Sequence, residues 1–180
     1  MPEYRRVYIK GGTFFFTVVT NGRYPIFEDK SATDLLKTSF YRVTIAHPFE
    51  IDSIVVLPNH LHCIWILPEG DSDFSTRWRL IKSDFTRNYL AASAREISDS
   101  RRIKREKGIW QRRFWEHTIR DEADLNTHRD YIHYNPVRHG LSDSPANWEH
   151  SSFKMFVKKG FYSPDWGSIP RKELQEMDLE

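Results

Sequence analysis

Residues 50–67 read EIDSIVVLPNHLHCIWIL. Two runs rich in β-branched and aromatic residues, 50–57 and 60–67, flank the tight-turn pair Pro58-Asn59, and this pattern predicts a β-hairpin. Upstream, Gly11-Gly12 leads into residues 13–20, TFFFTVVT, a third strand by the same criterion, which Asn21-Gly22 breaks. Between these strands, Leu35, Leu36, Phe40, Val43 and Ile45 fit a helix over residues 31–47 better than alternation, and Pro48 closes it. After the hairpin, Trp78, Ile81, Phe85, Tyr89 and Leu90 are spaced for an amphipathic helix over residues 75–98. Residues 110–120 fit either strand or loop. Asp121 then caps a helix running to Asn135, and Pro136 is expected to end it, because the residue before a proline is pushed out of the α region. Beyond Gly140 the sequence reads as aromatic, turn-rich loops. The order strand, helix, hairpin, helix, possible strand, helix predicts an α+β fold with helices on an antiparallel sheet.

A chain of 180 residues, 39% hydrophobic and 14% aromatic, is long enough for one good core and short for two, so one domain is expected. The net charge of +2 is unevenly spread. Arg101, Arg102, Lys104, Arg105, Lys107, Arg112 and Arg113 fall within thirteen residues whose only acid is Glu106. Such a concentrated patch suits a polyanion, although a solvated loop has the same composition. The lone Cys63 excludes an internal disulfide, the opening MPEYRR lacks the apolar run of a signal peptide, and the apolar runs are too short to span a bilayer. A cytoplasmic location without membrane attachment is expected.

His60-Leu61-His62 begins a strand, where alternate side chains share a face, so both imidazoles project together, about 7 Å apart at Cα. That spacing suits one metal ion; a solvated pair of polar strand residues has it too. Tyr131 and Asn135, four apart on the last predicted helix, share another face and could supply a nucleophile and a third ligand, or a core contact and a helix terminator. Trp110-Gln111-Arg112-Arg113-Phe114-Trp115 combines cations for phosphates with aromatic faces for bases, and Tyr4, Arg5 and Arg6 form a smaller group of the same kind. Glu116-His117, His128, His133 and His139 lie near these motifs; each could touch DNA, and a packed or solvated histidine is the more ordinary reading of any one.

Three stretches in order, YRRVYIKGGTFFFTVVT (4–20), VVLPNHLHCIWILPEG (55–70) and IWQRRFWEHTIRDEADLNTHRDYIHYNPVRHG (109–140), resemble the REP-associated tyrosine transposases, a branch of the single-tyrosine HUH transposases. The resemblance reaches to about residue 166, implying a transposase-like domain over 1–166 and a charged tail over 167–180. It implies a ferredoxin-like antiparallel sheet with flanking helices. It assigns His60 and His62 to the metal-binding pair, Tyr131 to the nucleophile and Asn135 to the third ligand, a position that is Gln in many relatives. It further implies cleavage and rejoining of single-stranded DNA hairpins of the REP type through a 5′-phosphotyrosine, with Mn²⁺ or Mg²⁺ as cofactor and a monomer favoured over a dimer. Arg101, Arg102, Lys104, Arg105, Trp110, Arg112, Arg113, Phe114 and Trp115, with Tyr4, Arg5 and Arg6, are the expected DNA contacts. Two other readings share these residues: a domesticated protein that grips hairpins without cutting, and a dimeric mobile-element transposase. The tail carries Glu173, Glu176, Asp178 and Glu180 beside Leu174, Met177 and Leu179, and is read either as a solvated terminus or as a segment that folds back and competes with DNA.

Overall fold

The computed structural model describes residues 9–93, 108–169 and 171–177. Along the chain these form β1 (Thr13–Val19), α1 (Lys30–Ala46), β2 (Glu50–Val56), β3 (His60–Ile66), α2 (Phe74–Ser93), β4 (Trp115–Thr118), α3 (Glu122–Arg138) and two short helices, α4 (Phe153–Lys158) and α5 (Lys172–Gln175). The strands lie in the order β2-β3-β1-β4, every neighbouring pair antiparallel. A β-α-β-β-α-β succession in that order is the ferredoxin-like arrangement.

The predicted hairpin forms, with the Leu57 N–H donating to the His60 carbonyl at 2.8 Å across Pro58-Asn59. Within the undecided stretch 110–120, Trp115–Thr118 form an edge strand in which His117 pairs with Phe15, and Trp110 makes an isolated bridge to Thr20. The N-termini of α1 and α3 are each capped by aspartate. Asp29 accepts from the Ser31 N–H at 2.8 Å and Asp121 from the Asp124 N–H at 2.8 Å, satisfying donors that the first helical turns leave open.

Alternation along the strands divides the interior in two. Phe14, Phe16, Val18, Leu61, Cys63 and Trp65 point to α1 and α2 and pack with Leu36, Phe40, Trp78, Ile81 and Phe85. Phe15, Val55 and Ile64 point the other way, beneath Tyr131 and Ile132 of α3.

Two expectations fail. Helix α3 does not stop before Pro136 but runs on to Arg138. A proline forfeits its own N–H bond and crowds the turn behind it, yet the N–H groups after it can still bond, and His139 donates to the Asn135 carbonyl at 3.0 Å. The chain past Gly140 is also more than loops: Phe153, Phe156, Tyr162 and Trp166 stack around His133 and Tyr134, and α5 lies against α3.

Candidate active site

His60 and His62 share one face of β3, their ring centroids 4.9 Å apart, while Leu61 and Cys63 enter the opposite layer. Both are buried. Each ring is held through Nδ1: His62 is hydrogen-bonded to Oγ1 of Thr17, its partner across the β1–β3 ladder, at 2.9 Å, and His60 donates to the Asn59 side-chain oxygen at 2.6 Å. Anchoring one nitrogen fixes the ring orientation and leaves Nε2 as the atom that could bind a metal, as in most metal-binding histidines.

Helix α3 crosses this pair. The Tyr131 ring lies 5.2 Å from His62, and the His139 ring lies 5.3 Å from His60. Asn135, midway between Tyr131 and His139 on the helix, is therefore bracketed by the two histidines. It is wholly buried, and neither its amide nitrogen nor its oxygen has a hydrogen-bond partner among the described residues. A buried amide left so costs about 1–3 kcal/mol, a penalty that a metal ion would relieve. The donor set, two anchored imidazoles and an otherwise unsatisfied amide oxygen, fits a divalent cation. The Arg138 guanidinium stands over the Tyr131 ring, 5.6 Å from its centroid, and Phe15 meets that ring edge-on.

The roll of α3 about its axis is set from the side away from the histidines. Arg129 forms a forked ion pair with Asp52 of β2, with Nε donating at 2.9 Å and Nη2 closing the second arm. His133 is hydrogen-bonded to Ser152 Oγ at 2.9 Å and Tyr162 Oη at 3.3 Å, and Tyr162 donates to Asp130 at 2.8 Å. Burial pushes the His133 pKa down to about 3, so it is a neutral structural group. Tyr134 belongs to this side as well: its hydroxyl accepts from the Arg171 N–H at 3.2 Å and its ring meets Trp166. Of the two tyrosines in DYIHYNP, only Tyr131 faces the histidine pair.

The residues expected to contact DNA are spread apart. Trp110 packs between Phe27 and Phe85, and Phe114 packs on Phe16 and Trp78, both in the α1–α2 layer. Trp115 is on the Tyr131 side, edge-on to Phe15, while Arg112 and Arg113 are exposed. Tyr4, Arg5, Arg6, Arg101, Arg102, Lys104 and Arg105 lie outside the described residues. Sequence reasoning missed Thr17, Asn59 and His139 as neighbours of the pair. It missed Arg138 too, although its place seven residues after Tyr131, two helical turns on, was a usable signal.

Residues 9–135, which span His60, His62, Tyr131 and Asn135, match the family model described as "Transposase IS200 like", and the chain belongs to that family. Within it the branch is that of the REP-associated tyrosine transposases, enzymes that act on DNA. The REP-associated tyrosine transposase of Escherichia coli is 46% identical over 167 residues, covering 92% of this chain and 91% of that one. A Haemophilus influenzae protein provisionally given the same name is 44% identical over 178 residues, 97% of this chain and 98% of its own. A solved structure of a REP-associated tyrosine transposase bound to a REP hairpin superimposes with a TM-score of 0.78 at 43% identity, covering all of both chains.

Proposed function

We propose that this protein cuts and rejoins single-stranded DNA next to REP-type hairpins, with Tyr131 as nucleophile and His60, His62 and Asn135 as ligands of one Mn²⁺ or Mg²⁺ ion. The observation that carries this reading is the buried Tyr131 ring against His62, one helical turn from an amide whose two polar atoms have no partner among the described residues. The hairpin substrate is taken from the relative whose structure holds a REP hairpin.

The bound cation supplies charge neutralisation at the scissile phosphate and at the departing oxygen. A tyrosine at its ordinary pKa near 10 is phenolate in only about one molecule in a thousand at neutral pH, so the surroundings must favour the attack. Arg138, over the Tyr131 ring, adds positive charge where the phosphate must sit. Tyr131 Oη forms a bond to phosphorus and gives its proton to solvent; the P–O3′ bond breaks and the 3′-oxygen is protonated. The phosphotyrosine keeps the energy of the broken phosphodiester, so the freed 3′-hydroxyl can attack it and reseal or exchange strands without ATP.

Tyr131 is only 1% exposed, so DNA must displace what covers it. Part of that cover is the C-terminal segment: Leu174 is buried and Met177 packs on the cluster containing Tyr131. This supports the reading in which the tail competes with DNA. A cytoplasmic monomer is the corresponding working form.

The test is incubation of the protein with labelled single-stranded hairpins from the flank of its own gene, with Mn²⁺. A covalent protein–DNA band that needs both metal and hairpin supports the proposal. Tight hairpin binding without any band, across Mn²⁺ and Mg²⁺, overturns it in favour of a binding-only protein.

A further inference from the structure

Along α3, on the N-terminal side of Tyr131, a second cluster of potential ligands lies away from the His60–His62 pair. Asp124 and His128 are one turn apart on the helix, and His117 comes up from β4, paired with Phe15 in the sheet. His117 Nε2 is 2.9 Å from Asp124 Oδ2, and His128 Nδ1 is 3.2 Å from Asp124 Oδ1. One ligand atom from each of the three lies within 4.8 Å of the others.

Hydrogen bonding explains half of this arrangement. Burial alone would raise the Asp124 pKa, but hydrogen bonds from His117 and Arg120 pull it down to about 2, so the carboxylate is ionised and one histidine partners it. A second imidazole stacked on the first, with centroids 4.6 Å apart and planes 13° from parallel, is not needed for that. His128 is buried, and its Nδ1 lies 2.8 Å from the Asp124 main-chain oxygen, which can only accept, so the ring proton sits on Nδ1. Nε2 then carries the lone pair, and it has no hydrogen-bond partner among the described residues. An imidazole tied to a carbonyl through one nitrogen, with its other lone pair buried and unpartnered, is prepared as a metal ligand.

We propose that His117, Asp124 and His128 form a second site for a divalent cation of the zinc class, distinct from the one assigned to His60, His62 and Asn135. Two imidazoles and a carboxylate are a three-ligand set whose fourth position a water can fill. Entry of the ion needs three adjustments. His117 passes to its Nδ1–H tautomer, the two stacked rings turn until their lone pairs converge, and Arg120, hydrogen-bonded to Asp124 at 3.2 Å with its side chain 74% exposed, swings into solvent. The bound ion would clamp β4 to the first turns of the helix that carries Tyr131.

The experiment uses the full chain carrying His60→Ala and His62→Ala, stripped with chelator and titrated with Co²⁺ as a spectroscopic stand-in for Zn²⁺. The expected result is one equivalent with visible d–d absorption and a rise in Tm on adding Zn²⁺. Both should vanish when Asp124→Asn or, in a separate chain, His117→Gln is added, with circular dichroism confirming that each variant is folded. No cobalt absorption in the starting chain, or absorption that survives in both added variants, overturns the site. Because the His60–His62 pair is already removed, the result does not depend on how that pair behaves.

Discussion

The two faces of the sheet are built from the same strands and do opposite work. Toward α1 and α2 the residues are large, apolar and interlocked: Trp65 stacks on Trp78 with centroids 4.3 Å apart, and Phe16, Phe40 and Phe49 close around them. Toward α3, one residue out of phase, the same strands carry Thr17, His60 and His62, and the helix answers with Tyr131, His128 and Asn135, all buried and polar or aromatic. Burying polar groups costs free energy unless each finds a partner, so the α3 face gives up stability, as the chemistry proposed for it would require, and the α1–α2 face is the one that carries the fold.

Crossing that division in both directions gives the largest expected effects. His62→Ala should reduce DNA cleavage to background while moving Tm by only about 2–4 °C, the shift of about 1 kcal/mol in a chain of this size. Trp65→Ala, on the opposite face of the same strand, should cost about 3–5 kcal/mol, a large share of the about 5–15 kcal/mol that holds a typical domain together, and lower Tm several times further. Thermal melts and cleavage assays on both variants check the contrast; a His62→Ala protein that cuts, or a Trp65→Ala protein with unchanged Tm, breaks it.

A smaller, few-fold effect is expected from removing residues 171–180, which lie partly on the α3 face: affinity for single strands should rise, most at low salt, since competition by an acidic segment is screened by ions. A salt series on the truncated chain that shows no gain would make the tail a bystander. Neutralising Arg101, Arg102, Lys104 and Arg105 together should weaken binding to all single strands alike and flatten its salt dependence. An unchanged slope would return that segment to a solvated loop.

The last effect is one of pH and concerns the support behind α3. His133 titrates near 6.5 when unfolded and at about 3 when folded, so between those values the unfolded chain binds the extra proton. Stability contributed by the neutral ring is present above pH 6.5 and is lost as pH falls toward 3, at up to about 1.4 kcal/mol per pH unit. Urea melts from pH 7 to 5 should show a shallower decline for His133→Gln than for the parent; equal slopes would remove His133 as the cause.

The hairpin, the shared face of His60 and His62 and the shared face of Tyr131 and Asn135 were legible because each follows from a local period, two along a strand and 3.6 along a helix. What lay beyond those periods was hidden. That Thr17 would hold His62 depends on the β1–β3 register, and that His139 would sit by His60 depends on the helix continuing past Pro136. The run from Trp110 to Trp115 looked like one aromatic and basic surface, yet at the edge of the sheet neighbouring residues go to opposite layers, so Phe114 packs against the α1–α2 core and Trp115 against the cluster that holds Tyr131. The cluster of His117, Asp124 and His128 was invisible for the same reason: its members are brought together by the packing of β4 against α3.

The central claim is that the face bearing His60 and His62 does its chemistry through Tyr131 and not through its neighbour Tyr134. Trypsin should release both tyrosines in one peptide, Asp130 to Arg138, so the covalent DNA adduct of the wild-type protein must be located within it by fragmentation. The account predicts the added nucleotide mass on Tyr131, and complete loss of adduct in Tyr131→Phe with hairpin affinity kept within a few-fold. Mass on Tyr134, or an adduct that persists in Tyr131→Phe, would contradict it.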